Sequence, residues 1–201
     1  MVKIIDENNI ITISQLENNK VQIYSDKGFS DTNFTTDTLL FDKIILCGKM
    51  ASGKDYMRAL LVNDNFTKDI SYTSRQMRKG EVDGQDYNFI SEQQFKEMIA
   101  NDEFFEYTCF CGWYYGTTKE NWNAKQIFIF DPCGLKKVKQ SVILENICVI
   151  YLDVPLSKRY ERLKDRDMGY DSIERRIFSD YELFQNIYYN LKLTDPLIKI
   201  I

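Results

Sequence analysis

The feature that most constrains this chain is the run Gly48-Lys49-Met50-Ala51-Ser52-Gly53-Lys54-Asp55, set directly after the apolar stretch Lys43-Ile44-Ile45-Leu46-Cys47. That stretch reads as a buried strand, and helical sequence follows from about Lys54 to Leu61. Gly48-x-x-x-x-Gly53-Lys54 has the Walker A spacing in the context its mechanism needs. The glycines let successive backbone N–H groups turn inward around a phosphate, and the helix N-terminus adds partial positive charge. Gly48, Ala51, Ser52, Gly53, Lys54 and Asp55 are therefore the expected ATP-phosphate residues, with Lys54 reaching the β- and γ-phosphates. Ile127-Phe128-Ile129-Phe130 and Ile147-Cys148-Val149-Ile150-Tyr151-Leu152 read as further buried parallel strands. Strands alternating with helices predict a three-layer α/β P-loop fold with a mostly parallel sheet.

One position departs from the motif. The residue after the lysine is usually Ser or Thr, whose hydroxyl holds Mg²⁺, and here it is Asp55. A carboxylate is a good hard ligand for Mg²⁺. It also suits a helix N-terminus with no metal at all. Both readings stay open.

Residues 1–27 read as short strands, at Lys3-Ile4-Ile5, Ile10 to Ile13 and Val21 to Tyr24, separated by asparagine-rich turns. Residues 28–40 read as a polar connector, so that 1–40 form a β-rich extension and 41–201 the main domain. The extension either packs on that domain or serves as an oligomer or partner contact. Ser91 to Asn101 has helical spacing, with Phe95, Met98 and Ile99 on one side. Helices are expected near Ser157–Arg166 and Ser172–Asn190, with a short strand near Leu191-Lys192-Leu193.

Composition narrows the function. The net charge of −4 gives no basic field to recruit nucleic acid or an acidic membrane. No apolar run approaches the roughly 18 to 20 residues needed to span a bilayer. Met1 to Glu7 meets acids and asparagines too soon for a secretory signal. The 5 cysteines are odd in number and lie in apolar or strand-like surroundings, which predicts buried thiols and a cytoplasmic location. Cys109-Phe110-Cys111 would put two thiols on one strand face, where a core role is expected rather than a metal. The chain has no histidine, which removes Ser-His-Asp and Cys-His catalysis and the common zinc sites.

The stretch Ser71 to Thr117 carries the second half of the chemistry. Its first part, Ser71-Tyr72-Thr73-Ser74-Arg75-Gln76-Met77-Arg78-Lys79-Gly80-Glu81 through Gly84-Gln85-Asp86-Tyr87-Asn88-Phe89-Ile90-Ser91, is polar with few burial signals. Two arginines three apart could close on one phosphate, with a tyrosine hydroxyl as a third donor. From the residues alone, an anion-binding loop facing the glycine loop and a solvated surface loop are equally open.

This segment resembles the guanylate kinase family, following its Ser-x-Thr-Thr-Arg-x-x-Arg-x-Gly-Glu-x-x-Gly-x-Asp-Tyr-x-Phe-x-Ser pattern without a gap. The similarity continues through Glu103-Phe104-Phe105-Glu106 to Gly112-Trp113-Tyr114-Tyr115-Gly116-Thr117, and spans about Asp42 to Thr194. The resemblance implies that Arg75, Arg78, Tyr87 and Tyr115 hold the phosphate of GMP. It implies that Ser71, Glu106 and Thr117 read the guanine base, with Asp131 an acidic group of the same site. A carboxylate takes guanine's N1–H and N2–H, whereas adenine would leave it facing a lone pair. It further implies that Arg162, Arg166 and Arg176 are lid arginines, within about 157–180, that close over ATP. Together these imply Mg-ATP-dependent phosphorylation of GMP or dGMP.

Departures remain. An acid expected two residues before Asp131 is Ile129, residues 1–40 have no counterpart, and a final helix is missing after Asp195. Of these features only Asp55 and Ile129 point to a non-catalytic scaffold module of the same fold; a kinase with another acceptor is the other alternative.

Overall fold

A computed structural model describes residues 2–6, 9–15, 21–25, 38–63, 65–141, 147–164, 172–185 and 197–200. The chain opens with four strands, β1 (Val2–Asp6), β2 (Asn9–Gln15), β3 (Val21–Ser25) and β4 (Thr38–Phe41). They pair antiparallel in sequence order, Ile13 standing opposite both Val2 and Ile23. Residues 38–41 thus extend the sheet, where a connector was expected to run to residue 40. Asp42 alone separates β4 from β5 (Lys43–Cys47), the strand that feeds the glycine loop.

After the loop come α1 (Lys54–Asn63), β6 (Tyr72–Thr73), β7 (Asn88–Phe89), α2 (Glu92–Ala100), β8 (Phe104–Phe110) and β9 (Trp113–Thr118). Ser91 starts α2 with a capping box: its hydroxyl accepts from the Gln94 N–H, and the Gln94 side chain accepts from the Ser91 N–H. The remaining elements are α3 (Lys119–Ala124), β10 (Ile127–Ile129), α4 (Pro132–Ser141), β11 (Ile147–Leu152), α5 (Leu156–Leu163), α6 (Ile173–Phe184) and β12 (Leu197–Ile200). Helix α3 is too short for a periodic pattern to mark it, and α4 opens on Pro132-Cys133-Gly134, which reads as a turn. The strand expected at 191–193 and the far end of the helix expected to reach Asn190 lie outside the described residues.

The central sheet has the order β10-β5-β11-β12 and is parallel throughout. Alternation in its strands assigns side chains to two faces. Ile44 and Leu46 of β5, with Cys148 and Ile150 of β11, pack under Met57 and Leu61 of α1 and against Ile13, Ile23 and Phe41 of the first sheet. Ile45 and Cys47, with Val149 and Tyr151, face the opposite layer of Trp122, Leu135, Val138 and Phe184. Each fully buried Ile or Leu contributes about 1.5–3 kcal/mol. Ile13 and Ile23 are 0% exposed within this core, so the extension packs on the main body.

A third sheet, β7-β6-β9-β8, stands beside the glycine loop. Among the described residues no helix is long and apolar enough to cross a membrane. The expectation of buried thiols holds for Cys47 and Cys148 only. Cys109 is exposed because it shares a face of β8 with the exposed Tyr107, and Cys133, in the first turn of α4, is exposed beside Thr108 and Asp131. Cys111 falls beyond β8, in the turn to β9 with φ +52°, so it does not share a strand face with Cys109.

Candidate active site

The glycine loop depends on close backbone approach. A Cβ at Gly48 would meet Ser52 Oγ at 2.6 Å and the Leu152 carbonyl oxygen at 2.8 Å. Ala51 holds φ +60°, a conformation that strains an L-residue by about 1–2 kcal/mol. Three side chains from the closing helices fix it. Arg162 Nη1 donates to Ala51 O at 2.9 Å, and Arg159 Nη1 donates to Met50 O at 3.2 Å. Asp180 Oδ2 accepts the Met50 N–H at 2.8 Å and pairs with Arg159 at 3.1 Å. Both members of that pair are buried, with side chains 5% exposed. Burial raises the Asp180 pKa, against the opposing pull of the Met50 N–H and of Lys54 and Arg159. Lys54 folds back on its own loop, donating to Gly48 O at 2.6 Å and Lys49 O at 3.0 Å.

The acceptor side is built on a buried carboxylate that sequence reading missed. Asp69, 2% exposed, lies just before β6. Its Oδ2 accepts the hydroxyls of Ser71 at 2.6 Å and Thr117 at 2.8 Å, and its Oδ1 accepts Asn121 Nδ2 at 2.8 Å. Asp69 thereby orients two of the three residues expected to read guanine. The third, Glu106, projects from β8 and accepts the Thr117 N–H at 3.2 Å. Its pKa lies well above the ordinary carboxylate value, through burial first and then the nearby charges of Asp131 and Asp69. Gly134 of α4 leaves it room, since a Cβ there would stand 3.1 Å from Glu106 Oε2. Asp131, also raised by burial, accepts the Gly134 N–H at 2.8 Å.

Arg75, read from sequence as part of a polar loop, is 5% exposed. Glu81 explains how a buried guanidinium is tolerated. It accepts from Arg75 Nη1 at 2.9 Å and Nη2 at 2.8 Å, and from the Arg78 N–H at 2.7 Å. The Arg75 guanidinium also lies over the rings of Tyr87 and Phe89, at 5.5 and 5.4 Å. Tyr87 meets Tyr115 edge-on at 6.0 Å, and its hydroxyl pKa is pushed up to about 12 by burial and the charge of Asp55. The tyrosine therefore remains a proton donor across the physiological range.

One cavity of about 200 Å³ joins the two sides. Of the residues expected from sequence, Gly48, Ala51, Lys54 and Asp55 line it on the donor side. Ser71, Arg75, Arg78, Tyr87, Glu106, Tyr115 and Asp131 line it on the acceptor side, and Arg176 of α6 lines it too. Four expected residues sit just outside. Thr117 is fully buried, Ser52 lies beneath the loop, and Gly53 and Arg162 border a neighbouring cavity of about 190 Å³ with Ala51, Lys54 and Asp55. Arg166 lies outside the described residues. Arg176 is 7% exposed and packs over Phe110 and Trp113 at the β8–β9 turn, at 5.8 and 5.5 Å.

Arg159 and Asp180 carried no sequence signal, because charged residues on polar segments read as solvated, and Glu81 stood in the matched pattern without an assigned role. Arg58 had one: it is four residues after Lys54, hence on the same face of α1.

The residues suit a magnesium ion held chiefly by phosphate oxygens. Asp55 is 71% exposed and bonds Arg58 Nη2 through Oδ1 at 2.9 Å, and its Oδ2 has no partner among the described residues. Among the described residues the buried Ser52 Oγ has no hydrogen-bond partner either. Among the described residues no group of three or more His, Cys, Asp or Glu could hold a metal. Magnesium bound through one carboxylate and substrate phosphates needs no such group.

Comparison with known proteins gives concordant matches. The family model described as "Guanylate kinase" matches residues 41–188. The guanylate kinase of Helicobacter pylori (strain ATCC 700392 / 26695) is 33% identical over 162 residues, covering 72% of this chain and 74% of its own. That of Maricaulis maris (strain MCS10) is 52% identical over 123 residues, covering 58% and 56%. Among solved structures, the crystal structure of guanylate kinase from Anaplasma phagocytophilum aligns with a TM-score of 0.56 at 20% identity, covering 78% of this chain and 75% of that one. At that identity it supports the fold.

Proposed function

The chain belongs to the guanylate kinase family, and on that premise we propose that it transfers the γ-phosphoryl group of Mg-ATP to GMP or dGMP, giving ADP and GDP or dGDP. The observation that carries the reading is that Lys54 of the glycine loop and Arg75, Arg78 and Glu106 of the acceptor region line one and the same cavity. Phosphoryl transfer asks mainly for in-line positioning, charge neutralisation and exclusion of water. No histidine is needed for any of these.

In the proposed complex Lys54 exchanges the Gly48 and Lys49 carbonyls for phosphate oxygens of ATP. The backbone amides of the loop hold the remaining oxygens. Arg162 and Arg176, with Arg166 by resemblance, steady the charge of the moving group. Magnesium would be held by Asp55 together with the phosphates, and it supplies further charge neutralisation. On the acceptor side Arg75, Arg78, Tyr87 and Tyr115 bind the phosphate of GMP. Ser71 faces O6, and ionised Glu106 accepts N1–H and N2–H. Thr117 supports both from behind, through Asp69 and through its own N–H.

Residues 71–117 form the acceptor region, about 157–180 the lid, and 1–40 an appended β-rich layer. A cytoplasmic setting fits the five free cysteines.

The test is ADP release with Mg-ATP and each of GMP, dGMP, AMP and dTMP. Release dependent on GMP or dGMP is expected. Its absence from folded protein would point to a binding module that no longer transfers phosphate. Equal turnover with AMP would overturn the role given to Glu106.

A further inference from the structure

We propose that Arg58 is an acceptor-phosphate-binding residue, held in readiness by Asp55. The inference rests on the kinase reading above and adds a residue to its acceptor site. Arg58 projects from the second turn of α1 into the central cavity, on the same wall as Lys54 and Asp55. Its side chain is only 13% exposed, yet its charge is matched by a carboxylate, Asp55, that is 71% exposed. That bond, at 2.9 Å, engages one Nη2–H, and among the described residues the rest of the guanidinium fork has no hydrogen-bond partner. A largely buried arginine with one solvent-facing partner is poorly compensated by the protein alone.

Its surroundings point towards the acceptor. The charge of Arg58 acts on Asp69, behind the base-reading residues, and on Tyr87, beside Arg75. Asp55 also acts on Tyr87. The pair therefore stands where the donor and acceptor sites meet. Arg75 has given part of its fork to Glu81 and Gln76 O, and its Nε–H and one Nη2–H have no partner among the described residues. Another guanidinium lining the same cavity adds to the positive enclosure. It also answers the problem posed by Asp55, a carboxylate set where two phosphates must approach. Arg58 screens that charge before binding and passes to the acceptor's phosphate when it arrives.

The experiment is calorimetric binding of GMP and of guanosine, without turnover, to wild type, Arg58→Met, Arg58→Lys and Asp55→Asn/Arg58→Met. Arg58→Met is expected to weaken GMP by about 10- to 100-fold, as for loss of a charged hydrogen bond. Guanosine, which lacks the phosphate, should bind unchanged. Arg58→Lys should recover part of the affinity, and the double variant should bind GMP more tightly than Arg58→Met, because Asp55 no longer repels it. GMP binding by Arg58→Met within about twofold of wild type would overturn the assignment, as would equal weakening of GMP and guanosine. Failure of wild type itself to bind GMP would overturn the kinase reading, and this inference with it.

Discussion

On the donor side of the cavity one unbroken run, Gly48 to Asp55, supplies the amides, the lysine and the carboxylate. On the acceptor side the groups come from Ser71 before β6, Glu106 in β8, Tyr115 in β9 and Asp131 after β10. The donor loop works through backbone shape, so what it needs from elsewhere is restraint: Arg159, Arg162 and Asp180 bond its main chain. The acceptor site works through side chains at fixed spacing, so what it needs is a sheet and buried charges to orient them. Damage to the two should therefore look different. Donor-side changes should cut turnover or loosen the loop, and acceptor-side changes should cut discrimination.

The largest expected effect is on the donor side. Lys54→Met should lower kcat/KM by about 10³-fold, through loss of a cation at the transferring group, with no change of fold by circular dichroism. Asp180→Ala comes next, as a loss of stability. It leaves Arg159 buried and unpaired and the Met50 N–H without its acceptor, and should cost about 3 kcal/mol in urea denaturation. Weakened ATP binding at temperatures where the variant is still folded should accompany it. An Asp180→Ala protein as stable as wild type would show that the loop needs no external restraint.

Glu106→Gln is the acceptor-side counterpart, with an expected loss of about 100-fold in the preference for GMP over AMP. Its effect on stability should have the opposite sign. Because the folded-state pKa of Glu106 is raised, the folded protein binds the proton more readily than the unfolded chain. The stability this confers is present in full below the unfolded value and is lost as pH rises through the folded one. Glu106→Gln should therefore melt above wild type at alkaline pH, with the gap closing on acidification. GMP affinity of wild type should rise with pH over the same window, since guanine needs the ionised carboxylate. Identical melting curves at every pH would place Glu106 in contact with water rather than in the enclosed site.

Sequence and structure agree best where information is local. Strand β5, the glycine loop and α1 are contiguous, and apolar runs of fixed length mark β10 and β11 as buried parallel strands. The acceptor site could be proposed from Arg75 and Arg78 only as an anion loop. That Arg75 is buried depends on Glu81 and on Tyr87 and Phe89, which reach it through the sheet. Asp69 gave no sign at all, because its three partners, Ser71, Thr117 and Asn121, meet only after β6 and β9 pair. The connector expected up to residue 40 failed for a related reason: Thr38 to Phe41 becomes a strand only through pairing with β3.

The central claim is that donor and acceptor phosphates meet in one cavity. A direct test is binding of adenosine and guanosine joined 5′ to 5′ through five phosphates, measured by calorimetry and by competition with ATP and with GMP separately. The account predicts that this compound displaces both nucleotides and binds at least about 100-fold more tightly than GMP, as expected when two sites are engaged by one linked molecule. A compound that displaced only one of them, or bound no better than GMP, would contradict it.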